Sequence, residues 1–129
     1  MKLLIVDTET GGLIPQEHDL LTIGLIVWEN KELKDELELK ISKEEYRTTM
    51  EALNVNKINL EELRKEGLPE KEVITKLIAF VKKNFGKEKP TVCGHNVNFD
   101  VGFLRELFKR NFFEYEKYLS YRTLDTMSI

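Results

Sequence analysis

The sequence has one cysteine, only three prolines and no long apolar run. A single cysteine, Cys93, excludes an internal disulfide and fits a reducing compartment, so we expect a cytoplasmic protein. No apolar stretch approaches the roughly 20 residues that a membrane-spanning helix needs, and we expect no membrane partner. The first residues also lack the basic-then-apolar order of a signal peptide, so we expect no secretion signal.

Positive charge is not in excess either. The 20 Lys and Arg residues face 23 Asp and Glu residues, which gives a formal net charge of −3. This balance argues against a protein that coats nucleic acid through a broad basic face. It leaves open an enzyme that holds one strand end through metal ions. The 129 residues, 41% of them hydrophobic, indicate one ordinary domain with one core.

Two acidic residues follow the first apolar run of the chain. Residues 3–6 are all apolar and predict a buried strand over about residues 2–6. Because side chains alternate along a strand, Asp7 and Glu9 leave its end on the same side. Two neighbouring carboxylates repel each other, and Mg²⁺ or Mn²⁺ between them would relieve the repulsion. A polar strand end that runs into a glycine turn is the simpler interpretation of the same residues.

The remaining pattern predicts an α/β fold. A three-stranded meander is followed by helices, a strand, a helix and a last strand, which implies antiparallel strands 1 to 3 and then parallel strands 4 and 5. Strands are predicted near 21–28, 32–41, 91–93 and 123–126, and helices near 59–65, 69–85 and 99–109, with a further helix beginning at Ser42. Sites in such sheets gather at the carboxyl ends of parallel strands. We therefore expect the segment after strand 4 to lie beside Asp7.

That segment, residues 94–104, reads Gly-His-Asn-Val-Asn-Phe-Asp-Val-Gly-Phe-Leu. Asp100 falls in the first turn of the predicted helix, where the positive helix end favours an ionised carboxylate. Asn96 has donors and an acceptor that can fix the loop after strand 4. Phe99 either lines a nucleotide pocket or anchors the helix, and taken alone the second reading is favoured.

Together the two segments resemble a known pair of motifs. Val6 to Leu13 (V-D-T-E-T-G-G-L) and residues 94–104 resemble the first two exonuclease motifs of the DnaQ-like, or DEDD, 3′→5′ exonucleases. Members include the proofreading subunits of bacterial replicative polymerases and several RNA-trimming enzymes. Residues 51–58 are similar to the loop between these motifs, where some members have a histidine in place of Asn56. The resemblance implies an RNase H-like fold over residues 1–129.

The resemblance also implies a metal-dependent 3′→5′ exonuclease domain of the DNA polymerase proofreading type. It would remove nucleoside 5′-monophosphates from 3′ ends. Asp7 would bridge two Mg²⁺ or Mn²⁺ ions about 4 Å apart, Glu9 would bind the first ion, and Asp100 would hold the second.

Further residues are implied as substrate contacts. The terminal nucleotide would meet Thr8, Thr10, Gly11, Gly12, Leu13, Asn56, Asn96 and Phe99. In this set Leu13 packs against the last base, Phe99 lies near the terminal sugar and base, and Asn96 supports its loop. The expected partner is a single-stranded 3′ end, with DNA favoured over RNA. A DNA polymerase or a second copy of the chain is a further candidate partner.

Members of this family have a third motif on a final helix, with a histidine or tyrosine followed by an aspartate. No match follows the element at 122–126, so we expect a truncated domain that lacks its C-terminal helix and exposes apolar surface on one sheet face. The alternative function is a catalytically impaired module, or a fragment, that binds metal and strand ends. His95 belongs to the second motif and His18 is expected to be a surface loop residue. Asp125 as a replacement ligand is the less favoured interpretation.

Overall fold

The computed structural model describes residues 1–126, which form five strands, four α-helices and one short 3₁₀ helix. The strands are Lys2–Thr10 (β1), Leu20–Glu29 (β2), Glu32–Lys40 (β3), Val92–Gly94 (β4) and Thr123–Asp125 (β5). They form one sheet in the order β3-β2-β1-β4-β5. The first three strands pair antiparallel, β4 is parallel to β1, and β5 is parallel to β4. The predicted mixed, RNase H-like sheet is confirmed.

The helices in the described residues are Met50–Asn56 (α1), Leu60–Glu66 (α2), Glu70–Phe85 (α3) and Val97–Arg110 (α4), followed by the 3₁₀ helix Tyr115–Lys117. The apolar residues of α3 recur at the helical period, so one side of that helix is buried. It packs near β3, while α4 lies against β1, β4 and β5. Their apolar sides meet Leu4 and Val6 of β1 in one continuous core. No helix within residues 1–126 is long and apolar enough to cross a membrane.

Strand β1 is longer than the sequence predicts. It continues through Asp7 and Glu9 to Thr10 because β2 extends beside it, with Glu9 paired to Thr22. The two acids therefore lie within a paired strand, and the prediction that they follow its end is wrong. Their common side of the strand is as predicted, because the residues between and before them, Thr8 and Val6, point the other way.

The helix predicted to begin at Ser42 is absent, because α1 begins only at Met50. The hydroxyl of Ser42 donates to the carbonyl of Arg64 at 2.6 Å, so it caps no helix of its own. Thr49 is the residue that caps α1, and its Oγ1 accepts from the backbone N–H of Ala52 at 3.1 Å. The intervening residues 43–48 belong to no helix or strand.

Apolar side chains remain partly exposed on the sheet face that also carries Asp7. Pairing places Ile5 opposite Ile26 and places Trp28 opposite Leu33 on this face. Trp28 is 38% exposed and Leu33 is 50% exposed. Part of the apolar surface on this side of the sheet is therefore open to solvent among the described residues.

Candidate active site

The two sequence motifs meet where β1 passes the start of α4. Asp7 and Glu9 are exposed on one side of β1, while Asp100 is 5% exposed in the first turn of α4. Thr8 points to the α4 side of the strand, and its hydroxyl donates to Oδ1 of Asp100. This hydrogen bond ties the first motif to the second directly.

Two of these carboxylates have pKa values above their ordinary values. Burial raises the pKa of Glu9, and repulsion from Asp7 and Asp100 raises it further. Burial likewise raises the pKa of Asp100, with a contribution from Asp7, although the Thr8 hydrogen bond opposes the rise. No Lys or Arg within residues 1–126 forms an ion pair with any of the three. A cation placed among them would therefore stabilise their ionised forms.

The carboxylates are oxygen donors of the kind that Mg²⁺ and Mn²⁺ prefer, so the donor chemistry fits a hard divalent cation. Over residues 1–126, however, no three His, Cys, Asp or Glu side chains are gathered into a complete metal-binding group. The site thus offers acidic oxygen donors, without a group of three ligands already assembled within residues 1–126.

A cavity of about 540 Å³ opens beside Glu9. One wall is the end of β1 with the loop that follows it, the other wall is α1, and Phe99 lies at the side. The predicted substrate residues that line it are Thr8, Thr10, Gly12, Leu13, Asn56 and Phe99. Much of its lining is apolar, because Ile14, Ala52 and Val55 add to Leu13 and Phe99. A cavity of this size and character beside acidic groups is a typical ligand site.

Two predicted substrate residues lie outside the cavity lining. The N–H of Gly11 donates to the carbonyl of Asp19 at 2.7 Å, so that group is used within the protein. A Cβ on Gly11 would come within 2.7 Å of the carbonyl of Arg47, which is why glycine is required there. Asn96 precedes α4 with φ 62°, and its N–H donates to Oδ1 of Asp125 at 3.2 Å. Both residues therefore shape the loops around the site.

Asn56 both lines the cavity and joins two elements. Its Nδ2 donates to the carbonyl of Thr10 at 3.0 Å, and its Oδ1 accepts from the N–H of Ile58 at 3.0 Å. The side chain thus fixes the end of α1 against the end of β1. In this arrangement both ends of the amide already bind backbone.

Asp19 is a site-building residue that the sequence did not reveal. Its side chain is fully buried and accepts from the backbone N–H of Arg47 at 2.7 Å, from Nε and Nη2 of Arg47 at 3.1 and 2.9 Å, and from Nζ of Lys43 at 2.8 Å. Its backbone N–H donates to the carbonyl of Arg47 at 2.9 Å. The carbonyl of Gly11 in turn accepts from the N–H of Thr49 at 2.7 Å. This network holds the loop after β1 against the segment that leads into α1.

His18 is also not the surface residue expected from its loop position. It is half-buried and lines the cavity. Its Nδ1 accepts from the backbone N–H of Ile14 at 3.2 Å. The ring lies so close over Gly12 that a Cβ there would be 2.2 Å from Nδ1. Only the spatial proximity of residues 12 and 18 reveals this role, because nothing in the local sequence pattern marks it.

Fold and site together define a nuclease domain, and comparison with known proteins agrees. The family model RNase_T, described as "Exonuclease", matches residues 4–129. The chain belongs to this exonuclease family, whose members generally use divalent metal ions.

Relatives support the same assignment. A DNA polymerase III PolC-type protein of Thermotoga petrophila is 29% identical over 109 residues, which is 83% of this chain and 7% of that protein. Another, from Pediococcus pentosaceus, is 29% identical over 110 residues, 85% of this chain and 7% of that protein. The chain therefore spans about a fourteenth of the length of these relatives.

Solved structures share the fold. Exonuclease I of Methylocaldum szegediense superposes with a TM-score of 0.83 at 21% identity, over 98% of this chain and 28% of that chain. Exonuclease I of E. coli, in complex with a dT13 oligonucleotide, gives a TM-score of 0.79 at 19% identity, over 96% of this chain and 27% of that chain.

Proposed function

We propose that this domain is a metal-dependent 3′→5′ exonuclease that removes nucleoside 5′-monophosphates from single-stranded 3′ ends, in the manner of polymerase proofreading. The observation that carries the proposal is the placement of Asp7, Glu9 and Asp100 where β1 passes the start of α4, with the Thr8–Asp100 hydrogen bond joining the two motifs and a cavity of about 540 Å³ beside Glu9. The PolC-type relatives and the oligonucleotide complex of the E. coli enzyme support DNA as the substrate and a polymerase as the context. We place the activity in one domain over residues 1–129, in the cytoplasm.

The residues take roles that follow from their positions. Asp7, Glu9 and Asp100 would hold two Mg²⁺ or Mn²⁺ ions, which activate water and stabilise the leaving oxygen when bound. Thr8 keeps Asp100 aimed at this group through its hydroxyl. The apolar side chains of Leu13 and Phe99 would hold the terminal base against the cavity wall, so that the scissile phosphate lies beside the carboxylates.

The remaining predicted residues would shape the cavity. Thr10 and Gly12 line it directly, and Asn56 fixes α1 to the end of β1. Gly11 and Asn96 would act through the backbone of their loops. The substrate would thus be held between the end of β1 and α1, with its terminal phosphodiester beside the acidic residues.

The test is hydrolysis of a 5′-labelled single-stranded DNA by the protein in its natural length. With Mg²⁺ or Mn²⁺ we expect a ladder of products shortened from the 3′ end and release of 5′-monophosphates, and no products with EDTA. A circular single strand should stay intact, because it has no end. An RNA of the same sequence, run in parallel, measures the preference for DNA.

The matched variants are Asp7→Asn and Glu36→Gln. Both remove one negative charge from the same face of the sheet, but Glu36 lies on β3 away from the second motif. We expect Asp7→Asn to lose at least about 100-fold in rate, since even residues that only orient metal ligands cost 10- to 100-fold. Glu36→Gln should keep the rate of the parent. Equal rates for the parent and Asp7→Asn, or cutting of the circular strand, would contradict the proposal.

A second candidate is a module that binds metal and strand ends without cutting them. It is favoured by the observation that no complete metal-binding group is gathered within residues 1–126. Calorimetry with Mn²⁺ and a short single strand, alongside the hydrolysis assay, separates the two. Binding without product supports the module, whereas no binding at all rejects both functions.

A further inference from the structure

The hydrogen bonding of His18 determines what its ring presents to the cavity. Because Nδ1 accepts the N–H of Ile14, the proton of the neutral imidazole is on Nε2. No hydrogen bond to Nε2 is recorded among residues 1–126. The ring therefore offers one N–H donor on the edge opposite Nδ1, at a cavity that it lines.

The ring is also held in place from several sides. It packs over Gly12, where no side chain would fit beneath it. The next residue, Asp19, is fully buried and anchored to Arg47 by side-chain and backbone bonds. A donor on such a fixed ring loses little freedom when it binds a ligand, which makes it well suited to recognition.

The surroundings of His18 favour a nucleobase over a phosphate. The neighbouring lining is largely apolar, with Leu13, Ile14, Ala52 and Val55 around the opening and Phe99 at the side. Flat bases stack on apolar and aromatic side chains, and every base carries ring-nitrogen or carbonyl acceptors at its edge. A phosphate would need several donors or a cation at the same place.

We propose that His18 is a base-binding contact of this cavity, where its Nε2–H donates to an acceptor on the edge of the 3′-terminal base. The inference rests on the proposed function, because it takes the cavity as the place where a strand end binds. It adds a polar contact to a pocket in which the polar side chains of Thr8, Thr10 and Asn56 already bind other groups of the protein.

The test measures binding of a short 5′-fluorescent single-stranded DNA by anisotropy, with Ca²⁺ as a hard cation that takes the same oxygen ligands. The protein is used in its natural length. Three variants separate the two nitrogens of the ring. His18→Ala removes both. His18→Gln can place an amide N–H near the position of Nε2, and His18→Asn can place its amide near the position of Nδ1.

We expect His18→Ala to weaken binding about fivefold, the usual effect of one neutral hydrogen bond. His18→Gln should stay within about twofold of the parent, and His18→Asn should behave like His18→Ala. The control Gln16→Ala changes an exposed side chain in the same loop that does not line the cavity, and it should bind like the parent. The opposite order, with His18→Asn intact and His18→Gln weakened, would show that the ring only supports the loop and would overturn the inference.

A strand with an abasic 3′-terminal nucleotide identifies the acceptor. If Nε2–H binds the base, the fivefold difference between the parent and His18→Ala disappears on this strand. A difference that persists would place the contact on the sugar or phosphate and overturn the proposed base contact.

Failure of the inference and failure of the proposed function give different results. If the parent cuts from the 3′ end and all His18 variants bind as it does, the exonuclease proposal stands and the role of His18 falls. If the parent neither binds nor cuts the strand, both fall together.

Discussion

Two groups of acidic side chains in this domain have opposite surroundings. Asp19 is fully buried, yet four donors from Arg47 and Lys43 surround its carboxylate. Burial alone would raise the pKa of Asp19, but these hydrogen bonds and the charge of Lys43 outweigh it and lower the pKa. Where β1 passes the start of α4, Glu9 and Asp100 have raised pKa values, because burial and neighbouring carboxylates act on them together.

The difference is in how the negative charge is balanced: the charge of Asp19 is balanced by protein groups, whereas the charges at the candidate site would be balanced by a ligand. The charge of Asp19 is balanced within the protein, and its consequence is a fixed loop beside the cavity. The charges of Asp7, Glu9 and Asp100 find no Lys or Arg partner within residues 1–126, so an external cation is what would balance them. Stability measured with and without metal, in the parent and in variants of each group, tests this difference.

The largest expected effect is stabilisation by metal. Mg²⁺ or Mn²⁺ at about 100 times its dissociation constant should stabilise the native state by about 2.7 kcal/mol. In Asp7→Asn this gain should largely vanish, while the melting temperature without metal should rise because one repelling charge is gone. Thermal unfolding with and without metal measures both. A metal response that survives in Asp7→Asn would show that the cation binds elsewhere.

The second largest expected effect is the loss of stability when the buried Asp19 is replaced. Asp19→Asn leaves Arg47 and Lys43 without their carboxylate and should lower the free energy of unfolding by about 2 kcal/mol, below the full cost of a buried pair because both cations still reach water. Urea unfolding measures the change. Glu32→Gln, which removes an exposed partner of Lys34, should leave the free energy of unfolding almost unchanged. Similar losses in both variants would mean that the buried network contributes no more to stability than the exposed ion pair does.

The network around Asp19 should also make the free energy of unfolding depend on pH in the acid range. Because the folded pKa of Asp19 lies below its ordinary value of 3.8, the unfolded chain takes up the proton first as the pH falls. The stability from this group is complete above that value and is lost as the pH drops toward the folded pKa. Urea unfolding from pH 6 to acid should therefore show a shallower decline in Asp19→Asn than in the parent. Parallel curves would contradict the lowered pKa.

The smallest effects come from two glycines. An added Cβ at Gly12 would meet the His18 ring, so Gly12→Ala should cost about 1 kcal/mol of stability and weaken strand binding. At Gly24 the nearest atom to an added Cβ is the carbonyl oxygen of Asp7 at 3.6 Å, an ordinary contact. Gly24→Ala should change stability by less than about 0.5 kcal/mol. Unfolding curves and anisotropy on both variants decide whether the contact of His18 with Gly12 matters.

Much of the fold was predictable from local pattern. The periodic apolar positions of α3, the capping residue Asn59 before α2 and the alternation in β3 each depend on a few neighbouring residues. The length of β1 was not predictable, because it depends on pairing with β2 across the loop. The capping pattern at Ser42 failed for a similar reason, since its hydroxyl binds Arg64, 22 residues away.

The residues of the candidate site likewise fall into those that local pattern predicts and those that depend on long-range contacts. Asp7, Glu9 and Asp100 were predicted because strand alternation and the start of a helix place them by short-range rules. Asp19 and His18 were missed, because their roles depend on contacts with Arg47 and Gly12 that only the folded chain brings about. Long-range partners leave no periodic trace in a single sequence.

The backbone bonds around Gly11 have one more consequence, which concerns motion. Asp19 donates to Arg47 and accepts from Gly11, and Gly11 accepts from Thr49, so three hydrogen bonds in series cross from the loop after β1 to the cap of α1. Opening either wall of the cavity must break bonds that the other wall shares. The amides of Gly11, Asp19 and Thr49 should then exchange with solvent as one cooperative unit, and the two walls should open and close together.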